Sequence, residues 1–468
     1  MIRIILFLIY ILMILAVIFL ERKSPTEAML WVIVLICLPY VGAVLYLVFG
    51  STMGIKLTAA IRGRRLQNRL HVMPEAKPVP ACDEVLSEED RQVLRFNQVY
   101  NHSQVTSYQS ARLLTDGLSH YTSLFTDIKN AKECIFIEFY TIHHDVVGEA
   151  LVSALAEKAK QGVVVLVMCD FVANLSTPAK MFRPLVEAGG QVIRLKPYFT
   201  HFRSHRKIVA IDHHIAYIGG MNIGKQYANM AKKKNPWRDT QVRLEGACTA
   251  ALEDYFLTDW LCAVHKRDWE RTVEYVEGIV RPDYSPSGHL CQFIIGGVDN
   301  NREAVKMCYL SMIRSAKRRI RIQSPYFIPD ASILDELKTA AATGVEIEVM
   351  IPGVESSFFL EPVTTYYVGQ LMEYGAKVYR YQGYIHAKTM VVDEEVCCIG
   401  SVNMDVRSLQ VDDEVCGVFY ANALVRQYSA IFDEDIRHCT PYTWQQFLER
   451  PASEKLRESI FLPFAPLM

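Results

Sequence analysis

The 468-residue chain lacks a charge excess of either sign: 50 Lys and Arg against 51 Asp and Glu leave −1 at pH 7. It therefore has no global basic surplus with which to bind a phosphate backbone, which argues against nucleic acid as substrate or partner. Its 12 cysteines include no CxxC pair, and Cys397 and Cys398 are adjacent and poorly placed to bridge to each other. A secreted disulfide framework is disfavoured, and the cysteines read as small buried hydrophobes in a reducing compartment. Low-complexity and proline- or glycine-dominated stretches are also missing. With 51% hydrophobic and 22% charged residues, disordered and collagen-like classes are excluded. The length suggests roughly three units.

What the chain does have begins with two uncharged apolar runs, residues 4–20 and 28–50, of 17 and 23 residues. A membrane-spanning helix needs about 20 such residues. The first run is longer than a signal-peptide core and no small-residue cleavage site follows it. Residues 1–52 thus read as two transmembrane helices. Lys56, Arg62, Arg64, Arg65 and Arg69 follow, with no acid between Ser51 and Arg69. The positive-inside rule puts both ends of this pair, and the rest of the chain, in the cytoplasm of a multi-pass cell-membrane protein. The basic run is expected to lie against an anionic leaflet. Residues 53–110 read as this juxtamembrane segment and a linker, with Pro74, Pro78 and Pro80 keeping it extended.

The remainder contains itself twice. Ile128-Lys-Asn-Ala-Lys-Glu-Cys-Ile-Phe-Ile-Glu138 resembles Ile313-Arg-Ser-Ala-Lys-Arg-Arg-Ile-Arg-Ile-Gln323, and Leu185-Val-Glu-Ala-Gly-Gly-Gln-Val192 resembles Leu371-Met-Glu-Tyr-Gly-Ala-Lys-Val378. The period is too long for a solenoid, so two tandem domains of one fold are expected, over 111–285 and 286–468. Apolar strands alternate with amphipathic helices ending in glycine, as at Gly162 and Gly344. That pattern predicts an α/β fold with mostly parallel sheets flanked by helices.

At matching places stand His205-Arg-Lys207-Ile-Val-Ala-Ile-Asp212, then Gly219-Gly-Met-Asn222, and His386-Ala-Lys388-Thr-Met-Val-Val-Asp393, then Gly400-Ser-Val-Asn403. Both fit H-x-K-x4-D-x6-G-[GS]-x-N. Residues i and i+2 of a strand share a face, so each His and Lys should point the same way. Asp212 and Asp393, an odd number of positions on, should face away and hold the hairpin from behind. The glycines allow close backbone approach and each Asn amide can donate. Two such faces across a pseudo-twofold would form one site. Its Lys and Asn donors suit a phosphoryl group, with one imidazole attacking phosphorus and the other moving protons. Such a cycle requires no metal and no other cofactor.

These residues resemble the double HKD signature of the phospholipase D superfamily. Gly400-Ser-Val-Asn403-Met-Asp405-Val-Arg407-Ser408, Trp237-Arg-Asp-Thr240 and Ser324-Pro-Tyr-Phe-Ile-Pro329, with the two N-terminal runs, are similar to the bacterial cardiolipin synthases. The resemblance implies two phospholipase D-like domains. It implies a membrane-bound phosphatidyltransferase that makes cardiolipin and glycerol from two phosphatidylglycerol molecules through a phosphatidyl-histidine. A phospholipase D-type hydrolase, or a transphosphatidylase with another donor lipid, is the alternative. By the same resemblance the catalytic set is His205, Lys207, Asp212, His386, Lys388 and Asp393, with His205 the nucleophile and His386 the acid/base. Asn222 and Asn403 would bind phosphate. A later acid would orient each histidine. Glu414, 28 residues beyond His386, is one; Asp239 is the first-half candidate, although aligning Asp239-Thr-Gln-Val242 with Asp412-Asp-Glu-Val415 sets Gln241 opposite Glu414. Oligomeric state is not legible in the sequence.

Other features compete less well. Gly219 to Lys225 approaches a P-loop but is followed by Gln226, which cannot supply the Mg²⁺ hydroxyl. His201, His205 and His143-His144-Asp145 lack the carboxylate company of a metal site. Aromatic pairs at Tyr198-Phe199, Tyr326-Phe327, Phe358-Phe359 and Tyr366-Tyr367, and the apolar end 460–468, are candidates for core or for lipid contact.

Overall fold

The computed structural model describes residues 2–19, 25–51, 60–65, 86–196, 203–231, 235–265, 268–282, 288–297, 303–354, 357–421 and 423–468. Its body is built on two sheets that repeat one topology. In the first, the strands run Ser110–Leu114, Gln241–Glu245, Ile215–Gly219, Ile208–Ile211, Cys134–Phe139, Val164–Asp170, Gln191–Leu195 in spatial order. In the second, the matching six are Glu414–Tyr420, Val396–Gly400, Thr389–Val392, Arg319–Gln323, Glu346–Pro352 and Lys377–Tyr381. Helix crossovers make only the last three of each set parallel; the hairpins after each HxK run antiparallel. The expectation of mostly parallel sheets is thus corrected to mixed sheets. Two short apolar runs joined by a polar turn form a hairpin, whereas a parallel neighbour needs a crossover.

Strands buried on both faces explain the unbroken apolar runs. Along Ile208–Ile211, Val209 and Ile211 pack beneath the helices Gly117–Asn130 and Val146–Lys160. Ile208 instead joins a central core with Val391, Ile399 and Val415 of the other sheet. The helices Cys248–Ala263 and Ala423–Arg437 contribute Leu252, Val425 and Tyr428 to that core. The two halves thus share one apolar interior, which holds their motifs in fixed relation.

The stretch read as a linker is partly structural. Helix Glu88–Val99 begins at Ser87, whose side chain accepts from Asp90 N, and Val93 packs into the second half's core. Strand Val105–Tyr108 adds an edge to the second sheet. Residues 66–85, with the three prolines, lie outside the described residues.

The N-terminal runs form a helical hairpin. Among the described residues, no helix is long and apolar enough to cross a membrane. Helix Ile2–Phe19 has 18 residues, about 27 Å against a hydrocarbon core of about 30 Å. The second run is interrupted at Pro39 and Tyr40, where φ is +67°, dividing it into Pro25–Cys37, Val41–Leu45 and the π-turn Tyr46–Gly50. Val17, Trp31, Leu35 and Tyr46 pack inside the hairpin, while Phe7, Leu12, Ile33, Ile36, Leu38 and Val44 are exposed.

Candidate active site

Each HxK segment enters its strand from an irregular stretch that pairs with the other half. His205 N donates to Asp413 O at 2.8 Å and Asp413 N to Arg203 O at 2.9 Å. His386 N donates to Arg238 O at 2.6 Å, extending a parallel pairing of Tyr384 and Ile385 with Trp237 and Arg238. Both histidines therefore stand on the seam between the halves. They line one cavity of about 420 Å³ with Asn222, Asn403, Tyr140 and Arg407.

The acids cross over. His205 Nδ1 lies 2.9 and 3.1 Å from the Glu414 carboxylate, and His386 Nδ1 lies 2.6 Å from Asp239 Oδ2. Each half supplies one imidazole and the partner of the other half's imidazole. A carboxylate on Nδ1 fixes the tautomer and leaves Nε2 as the reacting nitrogen. The alignment that set Gln241 opposite Glu414 is off by two residues. Gly219 pairs with Gln241 and Gly400 with Cys416, so Asp239 and Glu414, each two positions earlier, are the true equivalents. The first half has six more residues between its motif Asn and its acid, which displaces the apparent match.

Lys207 and Lys388 are fully buried, and their ammonium groups donate to the carbonyls of His205 and His386, both at 2.5 Å. Burial pulls Lys207 down to about 7 and Lys388 to about 8, although the Glu414 and Asp239 carboxylates oppose it. Burial and the lysines also hold both imidazoles below their ordinary range, His386 at about 3. Glu414 is pushed up to about 7, mainly by burial. Burial would raise Asp239 too, but the charges of His386 and Lys388 turn its shift downward. A phosphodiester anion between the lysines would offset their positive charge and favour their ammonium forms.

Asn222 sits at the cavity with Oδ1 accepting from Thr141 N and Nδ2 near Tyr227 Oη at 3.3 Å. Asn403 Nδ2 faces Ser408 Oγ at 3.3 Å. Asp212 and Asp393 are not in the reacting cluster. Asp212 caps the start of strand Cys134–Phe139, accepting from the backbone N–H of Lys132, Glu133 and Cys134. Asp393 does the same for Lys317, Arg318 and Arg319. Both hold the far end of the strand in left-handed turns, at φ +50° and +54°.

Sequence reasoning missed the aromatic walls. Tyr140 stands edge-on to His205 at 4.8 Å between ring centres, with Lys207 Nζ 5.5 Å from the same ring; Trp237 packs on His386 at 5.0 Å. Tyr140 directly follows the core strand Cys134–Phe139 and in the sequence looks like one more aromatic of that apolar run. Of the aromatic pairs, Tyr326 reaches the cavity and Phe327 is core, whereas Phe358 and Phe359 are exposed and pack on Phe461. Tyr198, Phe199 and His201 lie outside the described residues. The apolar end docks on the body, with Ala465 buried beside Ile328 and Met468 at the cavity. Asp145 is an N-cap, accepting from Val147 and Gly148.

Among the described residues, one cluster has metal-ligand chemistry: Cys134, His213 and Glu253, with donor atoms within 4.8 Å. His213 Nδ1 is 2.9 Å from Glu253, whose other oxygen takes Arg281 Nε at 3.3 Å. The second half has the Arg319–Glu394 ion pair at this place. The cluster reads as its structural counterpart.

Two sheets of one topology, joined across a seam that carries paired HxK motifs, define a phospholipase D-like protein. The family model described as "Cardiolipin synthase, PLD-like domain" matches residues 124–260 and 309–436, and one described as "Phospholipase_D-nuclease N-terminal" matches 8–51. The chain is 34% identical to the major cardiolipin synthase ClsA of Bacillus subtilis over 99% of its length and 98% of that protein's. It is 33% identical to a cardiolipin synthase of Listeria monocytogenes over 96% and 95%. The solved phosphatidylserine synthase of Haemophilus influenzae superposes with a TM-score of 0.60 at 15% identity, covering 80% of this chain and 97% of that one; at that identity the likeness speaks for the fold. The chain belongs to the cardiolipin synthase family of phospholipase D-like enzymes.

Proposed function

We propose that this enzyme transfers a phosphatidyl group between two phosphatidylglycerol molecules, releasing glycerol and forming cardiolipin. The observation that carries this is the crossed pair of histidine–carboxylate dyads facing one cavity over two buried lysines. His205 Nε2 attacks phosphorus, the P–O bond to glycerol breaks, and His386 gives its Nε2 proton to the departing oxygen. A hydroxyl of the second lipid then attacks the phosphatidyl-histidine, its proton passes to His386, and the P–N bond breaks. Lys207, Lys388 and the Asn222 and Asn403 amides stabilise charge on the phosphoryl oxygens. The dyads differ in a way that suits these roles. The Asp239 carboxylate stays ionised and favours imidazolium at His386, the acid/base. His205, held well below its ordinary range by burial, Lys207 and Lys388, is neutral, and with its Nδ1–H on the Glu414 carboxylate its Nε2 is free to attack.

The apolar outer face of the N-terminal hairpin is read as inserted in the cell membrane, with the body on the cytoplasmic side, where both lipids are within reach. The relatives named as cardiolipin synthases support the lipid substrate, and the net charge of −1 argues against nucleic acid.

The test is purified enzyme in mixed micelles with phosphatidylglycerol as sole phospholipid, followed by mass spectrometry. Cardiolipin with equimolar glycerol is expected. His386→Ala with an activated phosphodiester, whose leaving group needs no proton, should accumulate the phosphatidyl-enzyme on His205, and His205→Ala should not. Phosphatidic acid as the sole product would make the enzyme a hydrolase, and an adduct trapped in His205→Ala would reverse the two roles.

A further inference from the structure

Arg62, in the helical residues 60–65, belongs to the basic run expected at lipid headgroups. It lies instead inside the body. Nη1 donates to Asp413 Oδ2 at 2.8 Å and Nη2 to Asp259 Oδ1 at 2.6 Å, with the side chain 10% exposed. The same two acids also bind Arg206, through Nη1 to Asp259 and through Nη2 to Asp413 Oδ1 at 3.4 Å. Two guanidiniums and two carboxylates thus close a buried ring of charge, and the buried Glu138 carboxyl stands against it, pushed up to about 7 by burial and then by Asp259.

That ring touches the first dyad at several points. Arg206 lies between His205 and Lys207, and its Nε donates to Glu414 O at 3.3 Å. Asp413 precedes Glu414 in the chain, and its backbone pairs on both sides of Ser204. The second dyad is built without a ring. There the residue before the acid is Arg238, which pairs directly with Asp435 through Nε at 3.0 Å and Nη2 at 2.7 Å, and Ala387 replaces Arg206. Opposite charges meet around Asp239; around Glu414, Asp413 stands where an arginine would, so two acids face each other. Arg206 alone balances only one of them. The missing cation arrives from the segment that follows the membrane hairpin.

We infer that Arg62 is a positioning residue for the His205–Glu414 dyad, so that turnover depends on the membrane-proximal segment being docked between the two halves. It touches neither imidazole. Removing its charge leaves an uncompensated carboxylate beside the strand that carries Glu414, whose own surroundings are His205, Lys207, Lys388, Ser401, Ser408, Asp405 and Asp412. Added negative charge raises the pH at which Glu414 ionises; deleting Asp413's charge lowers it.

The inference rests on the two-histidine reaction proposed above and is tested with the full chain in phosphatidylglycerol micelles. Arg62→Gln should lower kcat at pH 7 at least about tenfold per folded enzyme, with KM within about twofold, and move the acid limb of kcat to higher pH. Arg62→Lys, which keeps the charge but cannot span both acids, should recover part of kcat and return the limb toward the wild type. Asp413→Asn should lower kcat while moving the limb the opposite way, and it carries the test alone if Arg62→Gln does not fold. A wild-type kcat in Arg62→Gln, a loss confined to KM, or a limb unmoved in both variants overturns the role of Arg62. A wild-type enzyme that makes no cardiolipin in the same micelles overturns the reaction and the inference together.

Discussion

The two dyads occupy equivalent places on equivalent strands, yet each is assembled from a different matched pair. Behind His386 stands the short acid Asp239, and Gly220 lies against it; a Cβ at Gly220 would collide with Asp239 Oδ1. Behind His205 stands the longer Glu414, and Ser401, the counterpart of Gly220, donates its hydroxyl to Glu414 Oε2 at 2.5 Å. Acid length and the size of the facing residue change together: aspartate with glycine, glutamate with serine. Duplication supplied the scaffold, and local packing then made the halves chemically unequal, with one carboxylate held ionised and the other raised toward neutrality.

The comparison breaks first at the acids. Asp239→Asn should lower kcat by roughly 10²–10⁴-fold, because the imidazolium form of His386 loses its counter-charge. Glu414→Gln should cost roughly ten to a hundredfold, because its partner works as a neutral nucleophile. Equal losses in steady-state turnover would show that the dyads are equivalent after all. Next come the facing residues. Gly220→Ser should push Asp239 off His386 and reduce kcat by about ten to a hundredfold, whereas Ser401→Gly, which deletes one hydroxyl donor, should reduce it by about three- to tenfold. Kinetics of the two variants side by side checks this, and a milder Gly220→Ser would mean the seam yields more than its packing suggests. The smallest effect on chemistry is expected at the motif aspartates. Asp212→Ala should lower stability by about 1–3 kcal/mol through three backbone donors left without their acceptor, seen as a lower midpoint in thermal or denaturant unfolding. Turnover of the folded fraction should stay within about threefold. A large loss of kcat at unchanged stability would return Asp212 to the catalytic machinery.

The N-terminal segment offers a second contrast. Its apolar runs were legible because a long uncharged stretch has few other uses, but the break at Pro39 divides the second run into pieces that no hydropathy sum distinguishes. Arg62 was read by composition as a headgroup contact and lies buried against Asp259 and Asp413, because the charges that claim it are some 200 and 350 residues away in the chain.

The sequence by itself determined the repeat, the α/β class, the two HxK motifs with their Asn partners, and the outward role of Asp212 and Asp393. All of these follow from local periodicity, in which residues two apart share a strand face and an odd step reverses it. It also brought Asp239 and Glu414 forward as the orienting acids. Only the tertiary structure decided which acid serves which histidine, the two-residue register that makes Asp239 equivalent to Glu414, the mixed sheets, and the aromatic walls at Tyr140 and Trp237. Those depend on how the two halves meet. Strand pairing across the seam joins His205 to Asp413 and His386 to Arg238 over long chain separations, and no local pattern encodes a partner that packing alone brings near.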